Sequence, residues 1–206
     1  MQMKIMMPRP APKAEGRRPA ALWAARLPAL LPLLLSALLA GCATRAAAPP
    51  APARLGLQLA PDQLGATIAV QQHLHVERDG RGDDLDVALE VDASHLELVG
   101  LAYGQRVLTL HYDGRELSSW RHPMLPEQVR AADVLEDLQL TLWPAAAIRL
   151  ALPAGWSIEE SGLRRTLYLD GAAVALIDYS GAPRWSGTVV LDNLRYRYRL
   201  TIQTAR

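Results

Sequence analysis

The sequence contains no phenylalanine and a single cysteine, Cys42, among its 206 residues. Without Phe, the interior must be filled by Leu, Val, Trp and Tyr. One cysteine excludes an internal disulfide, so stability has to come from a buried core. Lysine is missing after residue 41. From Cys42 onward there are sixteen arginines against twenty carboxylates, a formal charge of −4, although the whole chain carries +1. A weakly acidic region without a basic tract argues against nucleic acid as a partner. Glycine-rich phosphate loops are absent, which argues against nucleotide use. A run long enough to span a bilayer is lacking too, since a spanning helix needs ~20 apolar residues. Leu27 to Ala40 is shorter and is broken by Pro28 and Pro32.

That short run has a basic lead (Lys4, Lys13, Arg17, Arg18 and Arg26) and closes on Leu39-Ala40-Gly41-Cys42. Basic region, apolar region and small-residue cleavage site make the layout of a secretory signal. The closing tetrad resembles the bacterial lipobox, whose cysteine is lipidated and becomes the new N-terminus. An ordinary signal peptide with an incidental cysteine is the plainer alternative. The resemblance implies a lipoprotein signal peptide over 1–41 and lipid attachment, with palmitate among the acyl groups, at Cys42. In Gram-negative lipoproteins an Asp after the cysteine favours the inner membrane. Ala43 stands there, which implies the periplasmic face of the outer membrane. Residues 42–53 are Ala/Pro-rich and read as a tether, reaching roughly 30 Å at ~3.1 Å per residue.

The remaining residues, 54–206, form the expected periplasmic domain, and 165 residues from Cys42 suffice for one core. Leu55, Leu57 and Leu59 alternate with polar or small residues, as a half-buried strand would. Strands are expected at Ile68–Glu77, around Leu85–Val91, at His95–Tyr103, Arg106–Tyr112 and Glu116–Trp120. Asp79-Gly80 and Asp113-Gly114 supply turns. The period then changes: Pro126 to Leu142 places Val129, Leu135, Leu138 and Leu142 at helical spacing, with Asp133, Glu136 and Asp137 opposite. Pro144 breaks this run before a second short helix, Ala145–Leu152. Strands resume at Trp156–Glu159, Leu163–Leu169, Val174–Tyr179, Thr188–Leu191 and Arg195–Thr204. In the last of these Tyr196, Tyr198 and Leu200 share a face opposite Arg195, Arg197 and Arg199.

Strands, a helical interruption and more strands give an α+β fold: a curved antiparallel sheet, or open half-barrel, with a lid of two or three short helices. Asp137-Leu138-Gln139-Leu140 with Trp143-Pro144, and Ile177-Asp178-Tyr179 through Trp185, resemble a family of bacterial lipoproteins often encoded beside aryl-polyene and polyketide genes. The layout also resembles the LolA/LolB lipoprotein-carrier superfamily, whose open barrel is closed by helices over an acyl-chain cavity. That resemblance implies an outer-membrane lipoprotein that holds an acyl or polyene chain, or a lipidated cargo, and meets a periplasmic carrier protein. It further implies a membrane-contact loop at Leu101, although a leucine that merely belongs to a strand is the simpler reading. Leu135, Leu138, Leu142 and Trp143 on the lid, with Tyr196, Tyr198 and Leu200 on the sheet, are the expected cavity residues.

Other chemistry finds little support. His73 and His75 share a strand face, but two ligands fall short of the three or four that a metal needs, so no metal or cofactor is expected. Asp83, Asp84 and Asp86 lack the remaining calcium-loop ligands. The Arg195, Arg197, Arg199 stripe reads as a solvated face, offset by Asp86, Glu90 and Asp92 if those strands are neighbours. Ser94-His95 matches no nucleophile motif, and no catalytic residues are assigned; the protein is expected not to be an enzyme. Two rivals remain: a structural lipoprotein that recruits partners, and an acyl hydrolase with a dyad such as His111 beside a serine or aspartate.

Overall fold

The computed structural model describes residues 54–205. The expected leader, the tether and Cys42 lie outside them. Five strands come first, β1 (Ile68–Arg78), β2 (Arg81–Val91), β3 (Leu96–Ala102), β4 (Gln105–Tyr112) and β5 (Leu117–Arg121). The helices α1 (Ala131–Leu142) and α2 (Ala145–Ala151) follow. A second set closes the chain: β6 (Trp156–Ser161), β7 (Arg164–Leu169), β8 (Ala172–Tyr179), β9 (Thr188–Asn193) and β10 (Tyr198–Thr204). The strand order is β5-β4-β3-β2-β1-β10-β9-β8-β7-β6, so the two meanders join only where β1 meets β10. That seam is antiparallel, with Leu74 opposite Ile202. A ten-stranded antiparallel open sheet with two short helices is consistent with an α+β open half-barrel. No described helix is long and apolar enough to cross a membrane.

Strand parity explains most of this. On β2 the residues Val87, Leu89 and Val91 are buried while Asp86, Ala88 and Glu90 are exposed, as period-2 alternation requires. Asp79-Gly80 joins β1 to β2 with positive φ at both residues, 51° and 75°. This is the backbone that a two-residue hairpin favours, and glycine adopts it at little cost. Leu89, Leu96, Leu110, Leu135, Trp143, Ile177 and Leu191 are among the most deeply buried side chains.

Three expected elements differ. Leu55–Leu59 is no strand: Leu57 and Leu59 are buried, but the segment runs as an extended strap along α1, followed by a 3-10 turn at Pro61–Leu64. Its backbone groups are met by helix side chains. Gly56 N donates to Glu136 Oε2 at 2.6 Å, and Gln139 bonds both Leu59 N and Leu59 O at 2.8 Å. The first helix begins at Ala131 rather than Pro126, because residues 122–129 close turns such as Leu125 N to His122 O, and Arg130 is extended. The last strand begins at Tyr198. Tyr196 N donates to Asn193 Oδ1 and Arg197 takes φ 54°, so Leu194–Arg197 is a turn. The arginine stripe is therefore broken. Only Arg199 lies on the strand; it faces Asp192 of β9 at 3.5 Å, and β2 is not its neighbour.

Candidate functional site

Between α1 and the sheet lies a cavity of about 290 Å3, near the lower edge of the ~300–1,000 Å3 typical of small-molecule sites. Inward-facing residues of the central strands form one wall: Leu74 and Val76 on β1, Leu85 and Val87 on β2, Leu98 on β3, Leu108 on β4, and Leu200 and Ile202 on β10. The opposite wall is Val134, Leu138 and Thr141 of α1 with Met124, Leu125 and Val129 from the preceding turns. Tyr103 and Met124, which are 97% and 53% exposed, also line it, so the cavity reaches the surface there.

One part of the wall is polar. Arg54, the first residue of the strap, places its guanidinium 3.4 Å from Asp133, 3.8 Å from Glu136 and 3.5 Å from Asp137. It lies 4.0 Å over the Tyr196 ring and donates to Tyr198 Oη at 3.4 Å. Tyr198 in turn donates to Asp137 Oδ2 at 2.6 Å. Asp137 Oδ1 is covered and accepts no hydrogen bond. Burial pushes the Asp137 carboxyl up to about 7, against the pull of Tyr198 and Arg54. Burial likewise raises Glu136 and Tyr198. The acidic side of α1 therefore faces the strap rather than solvent. Three carboxylates meet there with Arg54, and Asp133 also binds Arg130 at 2.9 Å.

The far end of α1 is fixed to the second meander. Arg165, fully buried on β7, donates to Leu140 O and to Trp143 O, and binds Glu160 at 2.7 Å. Tyr179 on β8 donates to Thr141 O at 2.7 Å. These are the helix's last carbonyls, which have no partner inside the helix.

Of the expected cavity residues, Leu138, Tyr198 and Leu200 line the cavity. Leu135, Leu142 and Trp143 instead pack into the core at 0 to 2% exposure, and Trp143 Nε1 donates to Ala60 O. Tyr196 lies in the turn under Arg54. Leu101 is on β3 but 37% exposed, beside a register shift at Gly100/Leu101 and close to the hairpin tip that carries Tyr103. The Arg54–Asp137–Tyr198 group was not marked by spacing, since its members are far apart in sequence. Arg165 did carry a signal: it shares strand parity with the buried Leu167.

The residues set aside for catalysis and metal lie elsewhere. Ser94 Oγ and Asp92 Oδ1 both approach His95 Nδ1, at 2.9 and 3.1 Å. A relay would need the serine on one ring nitrogen and the carboxylate on the other. Asp92 instead accepts from the Ser94 hydroxyl and from the Ser94 and His95 amides, as a turn cap, which lowers its carboxyl to about 2. His73 pairs with Asp86 and His75 with Asp84 on an exposed face. Among the described residues no group of three or more such side chains could hold a metal.

A family model matches residues 69–206, most of the chain and nearly all of the cavity wall. The chain belongs to DUF3261, a family of proteins of unknown function. No curated protein matches it. The DUF3261 span begins inside β1, so the strap, Arg54 and Cys42 lie ahead of it.

Proposed function

We propose that this DUF3261 chain is an outer-membrane lipoprotein that holds an apolar acyl or polyene chain, free or on a lipidated cargo, in the cavity under α1. The supporting observation is the cavity itself: about 290 Å3, with Leu, Val and Ile of the sheet facing the apolar side of α1, a rim of Arg, Asp and Gln, and an opening beside Tyr103 and Met124. An apolar void left in a core forfeits packing contacts, and a chain entering it gains ~0.8 kcal/mol per buried methylene. The open sheet with its helical cover is the layout that resembles the LolB receptor, and Leu101 with Tyr103 supplies the apolar hairpin that would touch lipid. Cys42 supplies the anchor and a periplasmic carrier the cargo. A partner-recruiting structural lipoprotein is the second reading, favoured by the packing of Leu135, Leu142 and Trp143 into solid core.

Titration of the 54–206 domain with a fluorescent fatty acid tests the proposal. Saturable binding that unlabelled chains displace is the expected result. Fluorescence that never saturates, or that no chain displaces, would leave only the structural reading.

A further inference from the structure

The two edges of the sheet are finished differently. At β6, Asp170 N donates to Gly155 O, which fixes the alternation and turns the backbone of Trp156 and Ile158 outward. Two of those four outward groups are met: Trp156 N donates to Pro153 O at 3.2 Å, and Ile158 O accepts from Arg149 of α2 at 3.3 Å. At β5, His122 N donates to Val107 O at 2.8 Å, and Ser119 stands opposite Leu110. Residues 118, 120 and 122 therefore bond toward β4, while the N–H and C=O groups of Leu117, Ser119 and Arg121 point away from the sheet. No hydrogen bond reaches these outward backbone groups among the described residues. Natural edges are blunted by Lys, Pro, bulges or a covering element. β5 carries no Lys, Pro or bulge; it is a short edge of five residues close to α1, and its one charge, Arg121, turns back onto Leu125 O and Pro126 O. Residues 118 to 121 are all exposed.

We propose that β5 pairs with β5 of a second copy of this chain, antiparallel about a two-fold axis through Ser119. The register is self-complementary. Leu117 falls opposite Arg121, Ser118 opposite Trp120, and Glu116 opposite His122, so no like charges stand directly opposite one another. The residue on the axis is a small serine, which lets the backbones close. Leu117, Ser119 and Arg121 then exchange about six backbone hydrogen bonds with their counterparts. Trp120, 44% exposed, gains a neighbour across the pair. The two sheets become one, with the two β6 edges at its outer ends.

The pairing puts the two Ser119 Cα atoms about 5.5 Å apart, inside the range a disulfide accepts. Ser118 lies about 8 Å from its own copy, outside that range. The test is oxidation of the purified full-length chain in mild detergent with copper phenanthroline, for wild type, Ser119→Cys and Ser118→Cys. Both substitutions are small and exposed, and melting curves check the fold. A reducible dimer from Ser119→Cys, well above wild type and above Ser118→Cys, is the expected outcome. Equal dimer from Ser118→Cys would mean random collision, and a Ser119→Cys yield no higher than wild type would mean that the edge stays unpaired; either overturns the proposal.

Discussion

Arg165 Nη2 donates to Trp143 O at 2.8 Å, joining a fully buried guanidinium on β7 to the residue that ends α1. The same side chain serves Leu140 O and Glu160, so one arginine sets where the helix stops relative to the second meander. Arg165→Met keeps most of the apolar stem but leaves the Leu140 and Trp143 carbonyls without partners. Each buried orphan costs ~1–3 kcal/mol. Urea unfolding should show a loss of at least ~2 kcal/mol, against under ~0.5 for an exposed control such as Glu159→Gln.

Asp137 predicts an unusual pH dependence. Its carboxyl is raised by burial from 3.8 to about 7, so between those values the folded protein holds a proton that the unfolded chain has released. Stability from this group therefore falls as pH rises from about 4 to about 7. Asp137→Asn removes the effect. Its unfolding midpoint should gain on wild type from about pH 4 to about pH 7 and then level off. Parallel pH curves for the two proteins would contradict the assignment.

Leu135 and Leu138 are one turn apart but should respond differently. Leu135 is fully packed and its truncation to Ala should cost ~2–5 kcal/mol. Leu138 borders the cavity, so Leu138→Ala should cost less. Leu138→Trp should melt near wild type and abolish fatty-acid binding, whereas in a filled core it would be strained. Melting curves and binding titrations on the same samples separate these cases.

Leu101→Glu places its charge at a site already 37% exposed. Stability should change by under ~0.5 kcal/mol. Transfer of a fluorescent chain from vesicles should slow. A large melting loss would return Leu101 to a packing role.

For Cys42, metabolic labelling with palmitate should mark wild type and not Cys42→Ala, which should leave the outer-membrane fraction. Unchanged fractionation of Cys42→Ala would remove the anchor from the proposal.

Much of the sheet was legible because hairpin turns and strand parity are local signals. Asp79-Gly80 and the alternation of Val87, Leu89 and Val91 needed no tertiary information. The errors arose where a long-range partner decides. Leu55, Leu57 and Leu59 alternate like a strand, yet Glu136 and Gln139 offer their backbone side-chain partners some eighty residues away. Asp133, Glu136 and Asp137 read as a wet helix face until Arg54 and Tyr198 cover them. Tyr196 and Arg195 followed the parity of β10, but Asn193 and the positive φ of Arg197 turn the chain first.

Eight of the nine strand pairings join consecutive strands, and the ninth, β1 with β10, lies in the middle of the sheet. Each meander can zip up from neighbouring hairpins, but the central ladder has to close a loop of more than a hundred residues. Loop closure of that span is entropically costly and slow. The first five strands can assemble while the rest of the chain is still being delivered, and they then present β1 as a raw edge. Tyr198–Thr204, the last strand of the sheet, are what cover it. Assembly thus waits on β10: until it pairs with β1, the two meanders have no shared middle.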